Sequence, residues 1–202
     1  SNSAFQELNN LTSVVIPASV KEIDFYAFED CNNLKSVEMA NGVTTIGSGA
    51  FTNCSSLVDI EIPDSVTNIG SDVFWNCTSL EKVNIPDGVM SINDNLFYGC
   101  SSLQNIQIPE TVTTIGDSAF EDCSSLISIE IPENVEEIET TAFRGCSNLN
   151  TIKFIGSAPQ IQDNSFENVI ATVYYPANDS SWTEEIRQDY GGTLTWKTYT
   201  TA

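Results

Sequence analysis

Read along the chain, the apolar positions form one recurring phrase. From Cys54 they fall at Leu57, Ile60, Ile62, Val66, Ile69, Val73 and Phe74. The next phrase runs Cys77, Leu80, Val83, Ile85, Val89, Ile92, Leu96 and Phe97. Equivalent residues are 23 apart, and six cysteines, at 31, 54, 77, 100, 123 and 146, keep that step without an insertion. Phe5, Phe28, Phe51, Phe74, Phe97, Phe120, Phe143 and Phe166 keep it as well. A fixed period of this size predicts a solenoid with one coil per repeat, because a single coil cannot bury its apolar side alone.

Within a coil, Ile60 and Ile62 alternate with Glu61, which is strand periodicity with the glutamate facing outward. Pro63, Pro86, Pro109 and Pro132 stand where that strand should end, since proline cannot donate to a ladder. Val66 and Ile69 predict a second, shorter strand on another wall, and Gly47, Gly70 and Gly116 a sharp corner after it. Ala50-Phe51 and its equivalents suit a short helical or 3-10 turn. The residue before each cysteine is Asp30, Asn53, Asn76, Gly99, Asp122 or Gly145. These types best tolerate positive φ, so a left-handed residue is expected there in every coil.

The pattern decays after Cys146, where Ile155 replaces the proline and Val169 the cysteine. The reading is an array over 1–168, about seven coils, and a capping segment over 169–202. Residues 171–175 read as a strand ended by Pro176. Ser181 and Glu184 match a helix capping box, and Trp182, Ile186 and Tyr190 then share one helical face up to Gly191-Gly192. Residues 193–199 read as a last strand, giving a strand-helix-strand cap over the open core. The N-terminus has no matching cap, and its Ser1-Asn2-Ser3 start without Met reads as a segment of a longer protein.

Composition narrows function by exclusion. The 202 residues hold 28 acidic and 7 basic side chains, a formal net charge of −21. That field repels nucleic-acid phosphates and anionic lipid and favours basic proteins, neutral glycans or divalent cations. Histidine is absent, which removes the usual serine triads, Cys–His dyads and zinc sites. No apolar run is long enough to span a membrane. The even cysteine count admits disulfides. Their common phase in a core ladder sets the Cβ vectors parallel instead, and buried free thiols are expected.

With the consensus in view, the chain resembles the BspA-type leucine-rich repeats of bacterial surface proteins. The resemblance rests on L-x-x-I-x-I-P, V-x-x-I-G and A-F-x-x-C, as between Leu57 and Cys77, and covers roughly residues 4–168. The tail is similar to segments that follow such arrays. The resemblance implies a mainly β repeat solenoid: a right-handed leucine-rich-repeat array with a parallel sheet. It also implies a secreted or cell-surface protein, some members being adhesins for host extracellular proteins. It carries no catalytic residue.

Candidate binding residues are those facing solvent on the main sheet. Glu38, Asp59, Glu61, Lys82, Asn84, Gln107 and Glu130 vary while the core repeats, as a ligand-binding face would and as any solvated face also does. Trp75 and Tyr98 break a polar row in adjacent coils and form a second candidate, an aromatic patch. Asp64, Asp87, Glu110 and Glu133 align in one column. Carboxylates about 5 Å apart repel by roughly 0.8 kcal/mol in water. A weak cation could relieve that, but the spacing of a calcium loop is missing, and a solvated acidic ridge is the favoured reading.

The expectation is a non-catalytic protein-binding or adhesion module, a monomer that needs no cofactor or metal. Its partner would be a protein, such as a host extracellular matrix or basic protein, or a neutral glycan. The alternative is a structural spacer within a larger surface protein.

Overall fold

The computed structural model describes residues 3–200. Ser1-Asn2 and Thr201-Ala202, the outer ends of the two expected segments, lie outside the described residues.

The chain winds into a β-solenoid of about eight coils. Every strand pairing is parallel, and the strands line two walls. The main wall holds β1 (Ser13–Ile16), β3 (Ser36–Met39), β5 (Asp59–Ile60), β7 (Lys82–Val83), β10 (Ser128–Ile131), β12 (Thr151–Phe154), β14 (Ile170–Pro176) and β15 (Thr193–Tyr199). The second wall holds β2 (Glu22–Ile23), β4 (Thr45–Ile46), β6 (Asn68–Ile69), β8 (Ser91–Ile92), β9 (Thr114–Ile115), β11 (Glu137–Ile138) and β13 (Gln160–Ile161). Register follows the repeat: Val14 faces Val37, and Ile46 faces Ile69. Pro132 directly follows β10 as expected, whereas β5 already stops at Ile60; the Pro63 carbonyl then accepts the Val66 N–H at 2.9 Å, turning the chain toward the second wall.

A third wall is made of turns. Phe28 donates its N–H to Ala50 O at 2.8 Å, and Phe97 does the same to Ala119 O at 2.8 Å. Inside this wall the rings stack from Phe5 to Phe166, nearly parallel. Leu34, Leu57, Leu80, Leu103, Leu126 and Leu149 are fully buried beside all six cysteines. The first coil is covered on one side only, and Phe5 is 47% exposed.

The Ala-Phe segments make single turns and do not extend into helices. Among the described residues there is no helix, only single turns such as Ala27 N–H to Asp24 O at 3.3 Å and Cys31 N–H to Phe28 O at 3.2 Å. Two residues per coil take positive φ and stop any helix from propagating. One is the residue before the cysteine, as anticipated: Asp30 at 60°, Asn53 at 58° and Gly145 at 72°. The other lies four residues earlier, at Tyr26 (53°), Gly49 (67°), Asp72 (61°), Asn95 (54°), Ser118 (53°) and Thr141 (55°).

The helix expected in the cap is also absent. Residues 181–192 form turns instead, because side chains and short turns claim the backbone groups a helix would use. Asp179 Oδ1 accepts both the N–H and the hydroxyl of Ser181, at 2.9 and 2.6 Å, so the Ser181–Glu184 box does not assemble. The carbonyl of Ile186 accepts the Tyr190 hydroxyl at 2.5 Å, and that of Gln188 accepts Trp196 Nε1 at 3.1 Å. Both cap strands join the main sheet in parallel, with Ile170 opposite Thr193, so the tail closes one further coil beyond the expected seven.

The corner glycines act through close approach. A Cβ on Gly70 would lie 2.5 Å from Ser48 N, and one on Gly47 would lie 2.9 Å from the Asp24 carbonyl carbon. Adjacent coils meet there more tightly than a side chain allows.

Candidate functional site

The main wall positions the first candidate face. Outward side chains of β3, β5 and β7, with those of residues 105–107, line an open groove of about 1160 Å³. It gathers six of the seven predicted face residues: Glu38, Asp59, Glu61, Lys82, Asn84 and Gln107. Asp64, which sequence alone assigned to a separate acidic column, also lines it. Four carboxylates therefore share the groove with one lysine, and Lys82 makes no ion pair among the described residues. Ile60, Ile62, Val83 and Ile106 add apolar backing.

Two of the predicted residues are already engaged. Asn84 turns its amide onto the neighbouring coil: Nδ2 donates to Ile62 O and Ile62 N–H donates to Asn84 Oδ1, both at 2.7 Å. Glu130 lies outside the groove and accepts from Lys153 Nζ at 2.8 Å. That carboxylate holds the Lys153 ammonium above its usual range.

Trp75 and Tyr98 do meet, with ring centroids 4.9 Å apart and planes tilted by 42°. Both are half-buried. Their row continues in polar contacts: Gln6 donates to Glu29 at 2.6 Å, and Arg144 reaches Glu121 at 3.3 Å and Glu167 at 3.1 Å. Burial, with the nearby Glu121 and Asp122 carboxylates, raises the Tyr98 hydroxyl pKa. Pairing with the next coil thus accounts for much of this patch. Tyr26, 40% exposed, lies over Gly49, where a Cβ would meet its ring at 2.3 Å.

The acidic column opens as a shallow depression that includes Asp87, Glu110 and Glu133. Among the described residues no group of three or more acidic or thiol side chains converges enough to hold a metal ion. No helix among them is long and apolar enough to cross a membrane.

Comparison with known proteins rests on the repeat that builds these faces. The model of the BspA type leucine-rich repeat region matches in six copies, over residues 1–123 and 68–186. The chain belongs to the BspA-type leucine-rich repeat family. Such repeats generally serve protein interaction or surface display, and they are typically non-enzymatic. A leucine-rich repeat protein from Bacteroides ovatus aligns with a TM-score of 0.73 at 30% identity, over 97% of this chain and 56% of that one. This BspA-type array thus spans little more than half of that relative. A Treponema pallidum leucine-rich repeat protein aligns with a TM-score of 0.75 at 30% identity, over 80% of this chain and 78% of that one. No curated protein matches the sequence.

Proposed function

We propose that this BspA-type array is a non-catalytic protein-binding module of a secreted or cell-surface protein, and that the groove on its main wall takes a basic partner. Residues 1–168 form the binding array in this reading, and 169–202 close its end. One observation carries it: Glu38, Asp59, Glu61 and Asp64 share one groove with Lys82 as the only cation. Backbone ladders hold β3 and β5, which present Glu38 and Asp59, so these side chains lose little conformational freedom when a partner docks. Excess negative charge steers a basic protein toward the groove and weakens with salt.

The test is capture on the immobilised chain, using a panel of basic and neutral extracellular proteins and neutral glycans. Basic proteins should bind at about 50 mM salt and release at about 0.5 M, where screening is nearly complete. Retention of neutral glycans alone would overturn the basic-partner reading. Capture of nothing would favour a spacer, for which the unbroken ring stack from Phe5 to Phe166 is suited.

A further inference from the structure

The two strand walls are interrupted on opposite sides of one coil. On the main wall the sheet ends at β7, and the next begins at β10. Residues 105–108 between them form no strand, and no backbone hydrogen bond among the described residues joins them to Lys82–Val83. On the second wall the break falls one coil earlier, between β6 and β8. The coil of residues 77–99 is therefore laddered to the N-terminal half by its main wall and to the C-terminal half by its second wall.

At the second-wall break an asparagine side chain stands in for backbone. Along the second wall the regular stitch is an N–H to the preceding coil: Gly47 to Ile23 O at 2.7 Å, Gly70 to Ile46 O at 2.8 Å, Gly116 to Ile92 O at 2.7 Å. At the equivalent Asn93 it is the side-chain Nδ2 that donates to Ile69 O, at 2.6 Å. On the main wall Asn84 brackets Ile62 beside the β5–β7 ladder, on the opposite side of its coil from the break. A side-chain amide tolerates rotation and lengthening that a ladder does not.

The turn wall runs through without a gap. Phe74 donates to Leu96 O at 3.0 Å, Asn76 to Tyr98 O at 2.7 Å, and Gly99 to Glu121 O at 2.8 Å. Only its spacing relaxes. Ring centroids are 5.9 Å apart for Phe51–Phe74 and 5.6 Å for Phe74–Phe97, against 5.3 Å for Phe28–Phe51 and Phe97–Phe120.

We propose that residues 77–99 are a hinge: two rigid half-solenoids flex about the continuous Phe wall, the main wall parting beyond β7 and the Asn93 amide yielding on the second wall. The device stands independently of any ligand. Asn84 and Gln107 also line the main-wall groove, so the same flexing changes its curvature.

Hydrogen exchange on the whole chain, read by mass spectrometry, tests this. Local opening governs exchange, so amides of 90–93 and 105–108 should exchange at least about tenfold faster than those of β3 and β10. Asn93→Gly restores the residue that makes the regular stitch in three other coils. It should slow exchange over 90–93 to the rate of the rest of the wall and raise the Tm. Asn93→Glu is the second variant, since Glu139 makes the equivalent bond to Ile115 O at 2.9 Å. Uniform protection along both walls, or fast exchange over 90–93 that persists in both variants, would overturn the hinge.

Discussion

The thiol of Cys54 donates to the carbonyl of Phe28, 3.2 Å away in the adjacent coil. The same carbonyl also accepts the Cys31 N–H at 3.2 Å. The relationship recurs from Cys31 with Phe5 at 3.1 Å to Cys146 with Phe120 at 3.0 Å. Each cysteine is thus a small core residue whose weak donor ties one coil to another.

Buried in this way, the thiols resist ionisation. Desolvation pushes Cys77 up to about 12 from 9.0, and raises Cys100 and Cys123 well above it. Native protein should show almost no thiol reactive toward a chromogenic disulfide, and denatured protein six. One intramolecular disulfide in fresh protein would contradict the ladder.

The same shifts set an alkaline limit. A folded pKa above the unfolded value gives stability that is complete below about pH 9 and is lost as pH rises beyond it. Each fully buried thiol contributes a slope of about 1.4 kcal/mol per pH unit in that window. Replacing Cys77 and Cys100 with Ala should flatten the fall in Tm between about pH 9 and 10.5.

Phe97 is stacked on both sides, at 5.6 and 5.3 Å, and is 1% exposed. Phe97→Ala should cost about 3–5 kcal/mol. Phe5 has one stacked neighbour, at 5.2 Å, so Phe5→Ala should cost less than half of that. Equal losses in denaturant titrations would reject stacking as the source of the stability.

Glu29 and Glu139 have raised pKa values, first from burial and then from neighbouring carboxylates. Burial raises Asp72 too, and its Oδ1 has no hydrogen-bond partner among the described residues. The folded chain therefore takes up protons more readily than the unfolded one. Stability should rise as pH falls from neutral through these raised values, levelling off near 4.5 for the glutamates and 3.8 for Asp72. Melting should be higher at about pH 5 than at pH 7, contrary to the usual behaviour of ion-paired acids.

Neutralising Glu38, Asp59 and Glu61 together as Gln, Asn and Gln should weaken capture of a basic partner and reduce its salt dependence. The strand signal in circular dichroism should stay as it was. Glu130→Gln should have little effect, because Glu130 is paired with Lys153 outside the groove. Binding that ignores the triple change and salt but fails in Trp75→Ala would move the site to the aromatic pair.

The sequence by itself determined the coil length, the buried Cys, Leu, Ile and Phe columns, and the left-handed residue before each cysteine. All of these follow from one coil meeting a copy of itself, so the period displays them. It also named six of the residues that line the groove, since side chains alternate along a strand. Only the tertiary structure decided the rest. The second left-handed row escaped notice because Tyr26, Ser118 and Thr141 occupy it, types that do not advertise positive φ. The cap helix was overruled when Asp179 and Trp196 took its backbone groups. Asp64 entered the groove, Glu130 fell outside it, Asn84 turned its amide onto Ile62, and Asn93 put a side chain where other coils use backbone. Each of these depends on how one coil sits against its neighbour, a contact some 23 residues away that no local spacing encodes.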